Sequence, residues 1–167
     1  MRKTLMLLGV TALAVALVAP AGAAPAKATE GNIVQVAVGA GQFKTLASLL
    51  KSAGLVSALQ AKGPYTVFAP TDAAFKKVPK ATLTKLGKDK ALLKKVLLYH
   101  VVKGKVPAAT VVTLDGKSAK TLAGPAVKIK VTGGNVFLNG STKVTATDVM
   151  ASNGVIHVIN KVLLPPS

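Results

Sequence analysis

The sequence predicts an α+β domain in which helices come first and strands follow. Residues 32–62 carry apolar residues such as Phe43, Leu46 and Leu50 at three- and four-residue spacings, which is typical of amphipathic helices. From about residue 126 the chain is instead rich in Val, Ile and Thr, and its segment VKIKV alternates between apolar and charged residues. Helices followed by strands indicate an α+β architecture.

Glycines divide the first helical region into shorter pieces. Gly39, Gly41 and Gly54 interrupt the apolar spacing, so we expect two or three short helices after Asn32. The pair Gly63-Pro64 ends this region.

The stretch YTVFAPTDAAF, Tyr65 to Phe75, predicts a strand joined directly to a helix. Tyr, Val and Phe fit the surface of a strand, and Pro70 ends it because proline has no N–H for the ladder. Thr71 is a suitable N-cap, and Asp72 in the first turn suits the positive end of the helix dipole. Phe75 would then point back into the core.

The segment ALLKKVLLYHVV predicts a second helix–strand junction. Leu93, Val96 and Leu97 belong to a wide apolar stripe, while lysines occupy the other face of the helix. We expect this helix to lead into a strand near His100 to Val102.

Two tight turns and one central strand are predicted in the second half. Gly133-Gly134-Asn135 and Asn139-Gly140 carry the residues that hairpin turns require. The segment GVIHVINKVLL is apolar on both faces, which is typical of a strand that is covered on both sides.

The N-terminus predicts a secretory signal peptide over residues 1–23. Arg2 and Lys3 precede an apolar run, and the small residues AGA at 21–23 suit cleavage after Ala23, with AKA at 26–28 as an alternative site. A membrane anchor is the competing interpretation, but the 15 residues of the run are short for a span of about 20 residues. Residues 24–31 read as a flexible leader and 32–165 as a single domain that is secreted, periplasmic or at the cell surface.

The mature chain is strongly basic and contains no cysteine. Counting from Ala24, twenty lysines and no arginine stand against five acidic residues, a net charge of +15. Such an excess favours anionic surfaces and polymers. Sequence-specific nucleic-acid binding is disfavoured, because no Arg offers a bidentate fork and few aromatics could stack on bases. With no disulfide available, burial alone must hold the fold together.

Few residues could support catalysis or hold a metal ion. Two histidines and five dispersed acids show no ligand spacing, so neither a metal nor another cofactor is expected. The sequence lacks the G-x-S-x-G pattern of a nucleophile elbow and any phosphate-binding loop. The composition and motifs therefore predict a protein that is not an enzyme and has no catalytic residues.

Three segments together resemble the fasciclin-like domain family: TVFAPTDAAF at 66–75, YHVV at 99–102 and ATDVMASNGVIHVINKVLLP at 146–165. The resemblance implies a β-sandwich or wedge of two sheets with several short helices packed along one edge. It also implies a structural role for the residues of the first and third segments, namely Phe68, Pro70, Thr71, Asp72, Phe75, Asn153, Gly154, His157 and Asn160.

The resemblance further implies candidate adhesion residues. In animal fasciclin-like matrix proteins the neighbourhood of Tyr99 and His100 is linked to integrin recognition, and TDVMA, with Asp148 and Met150, resembles a second adhesion sequence of the family. The competing interpretation of Tyr99 and His100 is a buried, hydrogen-bonded pair. For Asp148 it is a hydrogen bond to the turn at 152–154. We expect His157 to be buried and neutral, since burial disfavours the charged form.

These observations predict a secreted, non-enzymatic adhesion or matrix-interaction domain of small, bacterial type. The expected partner is an anionic polysaccharide or another polymer of the cell surface, with a protein adhesion partner as the second candidate. Lysines of the segment 76–95 would make the contact: Lys76, Lys77, Lys80, Lys85, Lys88, Lys90, Lys94 and Lys95. Two alternatives remain open: lysines that only confer solubility, and a small-molecule carrier or stress-related envelope protein.

Overall fold

The computed structural model describes residues 31–166, so the predicted signal peptide and most of the leader lie outside the described residues. Within this range the chain forms seven helices and seven strands, and helices predominate before residue 100 as predicted. In chain order the elements are α1 (Ile33–Gly39), α2 (Lys44–Ala53), α3 (Val56–Gln60), β1 (Tyr65–Pro70), α4 (Asp72–Lys76), α5 (Lys80–Lys88), α6 (Lys90–Tyr99), β2 (Val101–Lys103), α7 (Ala108–Thr113), β3 (Ser118–Lys120), β4 (Ala126–Thr132), β5 (Asn135–Leu138), β6 (Thr142–Ala151) and β7 (Gly154–Ile159).

The seven strands form one continuous mixed sheet in the order β2-β1-β7-β6-β5-β4-β3. β1 and β7 are parallel, and the other neighbours are antiparallel. The two ends of the sheet meet, because Val102 bridges Thr121 and the N–H of Leu122 donates to the carbonyl of Val101 at 2.8 Å. The sheet is therefore nearly a closed barrel. The α+β character agrees with the prediction, whereas continuous hydrogen bonding does not divide the strands into the two sheets that the resemblance implied.

The barrel has one core inside and a second core between its outer wall and the helices. Phe68, Ile129 and Leu138 are among the buried residues of the inner core. Val67 of β1 and Ile156 of β7 belong to the outer core, together with buried residues of α1 to α6. Because side chains alternate along a strand, β1 and β7 contribute to both cores. All six residues of β7 are buried, which confirms the predicted central strand.

The junction between β1 and α4 fastens the strand to two helices. The Thr71 hydroxyl accepts a hydrogen bond from the N–H of Ala74 at 3.2 Å, which confirms the predicted N-cap. Asp72 Oδ1 also accepts from the N–H of Thr45 at 2.8 Å, in the first turn of α2. Phe75 is 4 % exposed and lies in the outer core. The abrupt change from strand to helix thus anchors α4 and α2 to the sheet.

Both predicted turns are present between antiparallel strands. Gly133 and Gly134 connect β4 to β5 with positive φ values of 56° and 75°. Asn139 and Gly140 connect β5 to β6, again with positive φ values of 51° and 75°. Glycine and asparagine tolerate this left-handed region better than other residues, which is why the turns were recognisable in the sequence.

Candidate functional site

The eight lysines of the segment 76–95 all lie at the exposed surface of α4, α5, α6 and the turns between them. We call them the helical lysine surface. The acidic residue within it, Asp89, caps α6 by accepting from the N–H groups of Ala91 at 2.9 Å and Leu92 at 3.0 Å. Its carboxylate is thus engaged with the backbone at the centre of the basic segment.

The other described carboxylates are engaged in the same way. Asp72, Asp115 and Asp148 each accept a hydrogen bond from a backbone N–H, at distances between 2.7 and 2.8 Å. The hydrogen bond from Thr45 is the main cause that lowers the pKa of Asp72 below its ordinary value of 3.8. The four described aspartates therefore act chiefly as caps and braces for the backbone.

Tyr99 and His100 are buried at the end of α6. His100 Nδ1 lies 2.7 Å from the carbonyl of Val96, and His100 Nε2 accepts from the N–H of Leu163 at 2.8 Å. Because an N–H donates to Nε2, the proton of the neutral ring is on Nδ1. Burial lowers the pKa of His100 from 6.5 to about 4, although the Val96 carbonyl acts in the opposite direction. With both nitrogens occupied, the ring has no atom available for proton transfer to a substrate.

The Tyr99 hydroxyl joins α6 to the barrel. It donates to the carbonyl of Ala126 at 3.3 Å and accepts from Asn139 Nδ2 at 3.0 Å. Tyr99 is 1 % exposed and His100 is 2 % exposed. A partner cannot touch either ring in this conformation, so the geometry supports the buried, hydrogen-bonded pair and not a direct adhesion contact.

His157 fixes the segment that follows β2. Its Nε2 lies 2.7 Å from the carbonyl of Val106, and its ring stacks on Phe68 with centroids 5.7 Å apart. His157 is 1 % exposed, and its Nδ1 has no hydrogen-bond partner within residues 31–166. Burial lowers its pKa, while the Val106 carbonyl and the charge of Asp148 oppose that shift. The expectation of a buried His157 is confirmed.

Asp148 is exposed and braces α7. It has a positive φ of 57° in the irregular part of β6, and its Oδ1 accepts from the N–H of Ala108 at 2.8 Å. The interpretation that Asp148 bonds the turn at 152–154 is therefore wrong, because its partner is the start of α7. Met150 is half-buried two residues later. Asp148 and Met150 do not form a common accessible surface with the buried pair Tyr99 and His100.

The remaining motif residues hold strands and helices together. Asn153 accepts from the N–H of Ile33 at 2.9 Å and donates to carbonyls at the end of α3. Asn160 Oδ1 accepts from the N–H of Lys143 at 3.0 Å, which extends the contact between β7 and β6. A Cβ atom on Gly154 would lie 1.9 Å from the carbonyl oxygen of Tyr65, so only glycine fits there.

An apolar cleft of about 300 Å³ lies between the α1–α2 region and the outer face of β6 and β7. Val36, Phe43, Val149 and Ile156 line it, beside the irregular stretch of β6 at Ala146. The carrier alternative placed an apolar ligand between helices and sheet, where this cleft lies. No local signal identified its lining residues, because its walls come from segments about 100 residues apart.

Neither a metal centre nor a membrane span is found in the described part of the chain. Over residues 31–166 no three His, Cys, Asp or Glu side chains come together as metal ligands would. Among the same residues no helix has the length and apolar character needed to cross a bilayer.

Comparison with known proteins gives one consistent family. Residues 41–165 match the Fasciclin domain. Protein sll1483 of Synechocystis sp. is 51% identical over 139 residues, which are 81% of this chain and 74% of that protein. Transforming growth factor-beta-induced protein ig-h3 of Sus scrofa is 35% identical over 136 residues, which are 81% of this chain but 20% of that protein.

A solved structure shows the same fold. The FAS1 domain pair of the insect cell adhesion molecule Fasciclin I superposes with a TM-score of 0.65 at 18% identity, over 81% of this chain and 51% of that chain. The present chain thus spans about half of that domain pair and a fifth of ig-h3. The domain match covers most of the chain, and its buried strand–helix junction, Tyr99–His100 pair and central β7 lie where the three motifs predicted them. The chain belongs to the fasciclin domain family.

Proposed function

We propose that this chain is an exported, non-enzymatic fasciclin domain that contacts anionic polymers or envelope surfaces through the helical lysine surface. The observation that carries the proposal is the exposure of all eight lysines on successive short helices, around an aspartate that is engaged with the backbone. An uncompensated basic surface attracts polyanions from a distance and holds them through many weak contacts. The signal peptide at 1–23 would deliver the domain of 32–165 to the cell surface, the periplasm or the medium.

A polymer suits this surface better than a small anion. Lysine offers single ammonium charges on flexible stems, and it lacks the planar fork with which arginine grips one phosphate or carboxylate. Each exposed ion pair contributes only about 0.5 kcal/mol, so affinity must come from several contacts to the same partner. A chain with regularly spaced negative charges provides them.

A role in adhesion is supported at the level of the family, since a structural relative is named as a cell adhesion molecule. For a protein partner, Asp148 and Met150 are the accessible candidates, and Tyr99 and His100 would act only by positioning neighbouring surface. The substitution Asp148→Asn removes the charge, and asparagine still tolerates a positive φ and can accept from Ala108. Loss of cell attachment in this variant, with unchanged stability, would support a direct contact.

Binding of the mature protein to polygalacturonate and to neutral dextran, across a salt series, tests the proposal. We expect binding to the acidic polymer alone, with affinity falling steeply as salt screens the charges. Removal of three charges from the helical lysine surface should weaken it about tenfold, since three contacts amount to about 1.5 kcal/mol. The test variant combines Lys88→Gln, Lys94→Gln and Lys95→Gln.

A matched control changes the same number of charges elsewhere. Lys51, Lys62 and Lys103 are exposed and lie outside α4–α6, so their triple replacement by Gln alters net charge equally. We expect this control to bind nearly as well as the unchanged protein. Equal weakening in both variants would mean that only total charge matters. Absence of binding at low salt would refute the proposal and leave solubility as the role of the lysines.

The apolar cleft favours a second candidate function, that of a carrier or stress-related envelope protein for a small apolar ligand. Its volume of about 300 Å³ is at the lower limit of ligand pockets. Fluorescence of the uncharged dye Nile red tests this function, with Ala146→Phe as the variant that fills the cleft. Saturable binding that Ala146→Phe abolishes, in a folded protein, would support the carrier, and unsaturable or unchanged binding would exclude this cleft.

A further inference from the structure

Among residues 31–166, no helix packs extensively on the outer face of the barrel wall formed by β4, β5 and the first part of β6. Its inward residues, such as Val127, Ile129 and Leu138, are buried in the inner core. The residues between them point outward, and Lys128 and Lys130 are exposed there. This half of the sheet therefore presents a bare face to solvent.

Phe137 lies at the centre of this face. The other three phenylalanines are between 1% and 4% exposed, whereas Phe137 is only half-buried. Its direct neighbours across the strands are Lys130 on β4 and Lys143 on β6. Side chains that are paired in this way have Cβ atoms about 5 Å apart, so each lysine stem can reach along the ring.

A shallow groove continues from this row. It has a volume of about 500 Å³ and is lined by Lys128 and Lys130 together with Asp115 and the turn at Asn139. Asp115 is engaged with the N–H of Val131 at 2.7 Å. The Cα atoms of Lys128 and Lys130 are about 7 Å apart along β4, and those of Lys130 and Lys143 are about 10 Å apart across the intervening strand β5. Lys130 and Lys143 thus flank the ring of Phe137 across the strands, and Lys128 lies next to Lys130 along β4.

This combination fits an acidic polysaccharide. One face of a pyranose ring consists of C–H groups and can lie on an aromatic ring, while its carboxylate reaches a neighbouring ammonium group. Single-stranded nucleic acid fits less well, because successive bases require several stacking platforms and this face has one.

The bare face lies across the barrel from the wall that the helices cover. The two lysine surfaces approach each other at Lys77, whose Nζ donates to the carbonyl of Asn160 at 3.4 Å, next to Lys143. Helices α1 to α6 cover β1 and β7 through the outer core. In the strand order β2-β1-β7-β6-β5-β4-β3, with its ends joined, β4 and β5 lie across the barrel from β1 and β7. A polymer bound on β4 and β5 therefore leaves the lysines of α5 and α6 uncovered.

We propose that the outer face of β4–β6 is a second polysaccharide-binding surface, so that one molecule can bridge two acidic chains. We call it the sheet lysine surface and define it by Lys128, Lys130, Phe137 and Lys143. The proposal rests on the proposed function, since it takes the helical lysine surface as the first binding side. Linking two sites in one rigid unit gives a polymer network an avidity that either site alone does not supply.

Chemical-shift mapping with tetragalacturonate separates the two binding sides. We expect shifts at β4, β5 and β6 that persist in the variant lacking Lys88, Lys94 and Lys95, and that disappear when Lys128, Lys130 and Lys143 are replaced by Gln. Phe137→Leu keeps an apolar side chain but removes the ring, and it should weaken binding at this face alone. Shifts at α4–α6 without shifts at β4–β6 would overturn the second surface while leaving the proposed function intact. Shifts at β4–β6 without shifts at α4–α6 would overturn the proposed function and, with it, bridging.

Light scattering of polygalacturonate tests bridging. The unchanged protein should raise scattering at low ratios of protein to polymer, and scattering should fall again at protein excess, when each chain is saturated. The helical variant (Lys88, Lys94 and Lys95 to Gln) and the sheet variant (Lys128, Lys130 and Lys143 to Gln) should each remove this rise. Each should still bind the polymer with an affinity within about tenfold of the unchanged protein. The control variant at Lys51, Lys62 and Lys103 should scatter like the unchanged protein. Full scattering by the sheet variant, or equal binding of a neutral polymer or of poly(dT), would refute the inference and leave solubility as the role of these lysines.

Discussion

Acidification should destabilise this protein through His100. The buried ring uses both nitrogens in its neutral form, since Nδ1 donates to Val96 and Nε2 accepts from Leu163. A proton added to Nε2 would remove the acceptor that the N–H of Leu163 requires and would place a charge in the interior. The folded state therefore resists a proton that the unfolded chain takes up.

The size and sign of the effect follow from the pKa of His100 in the two states. In the unfolded chain it is near 6.5, and in the folded protein burial lowers it to about 4. Between these values only the unfolded state binds the proton, so the free energy of unfolding falls as the pH falls, by about 1.4 kcal/mol per unit. The stabilisation is fully present above pH 6.5 and about 3 kcal/mol of it is lost by pH 4. His157, whose pKa is also lowered, acts in the same direction.

Urea unfolding at about pH 7, 5.5 and 4.5 measures the effect. We expect a steep loss of stability in the unchanged protein and a shallower one in His100→Gln, whose amide does not titrate. His157→Gln is the matched control, and it should keep the part of the pH-dependent loss of stability that is due to His100. Should His100→Gln fail to fold, the ring protons of His100 in the unchanged protein give the same information by NMR. Titration of that ring near pH 6.5, or equal slopes in the unchanged protein and His100→Gln, would refute the reasoning.

Four further predictions concern three particular contacts and the overall charge. Gly154→Ala should abolish folding or cost more than about 4 kcal/mol in urea unfolding, because its Cβ would lie 1.9 Å from the carbonyl oxygen of Tyr65. Thr66→Val should cost about 1–3 kcal/mol in the same assay, since its buried hydroxyl both donates to and accepts from the loop after β2. Asp72→Asn should lose less stability below pH 4 than the unchanged protein, because the lowered pKa of Asp72 makes its contribution disappear as the pH falls through it. Added salt should raise the urea midpoint while weakening polygalacturonate binding, because it screens both the repulsion between lysines and their attraction to the polymer. A rise or a fall in both stability and affinity would contradict this.

The features that the sequence predicted well are those that neighbouring residues determine. The N-cap at Thr71 needs only a hydroxyl three residues before a free N–H, and the turn at Gly133 and Gly134 needs only residues that tolerate a positive φ. The complete burial of β7 follows from its unbroken apolar run. Each of these signals is contained within about ten residues.

The features that escaped the sequence analysis depend on residues far apart in the chain. Asp148 has its partner Ala108 40 residues away, and the Tyr99 hydroxyl finds Asn139 at the same separation. Closure of the sheet depends on the bridge between Val102 and Thr121, which lie at opposite ends of the strand order. Twist and packing of the whole barrel decide these contacts, and no local pattern encodes them.

The placement of charge in this fold separates its effect on stability from its effect on binding. Residues 31–166 contain nineteen lysines and four aspartates, and the aspartates bond to backbone N–H groups that the helices, strands and loops need. Lysines that repel one another at exposed positions lower the stability of the compact state, and salt relieves this repulsion by screening. Salt also screens attraction to a polyanion. If the lysines served only solubility, added salt would raise the stability of the protein and nothing more. In a polymer-binding domain, added salt must raise the stability and also lower the affinity for the polymer.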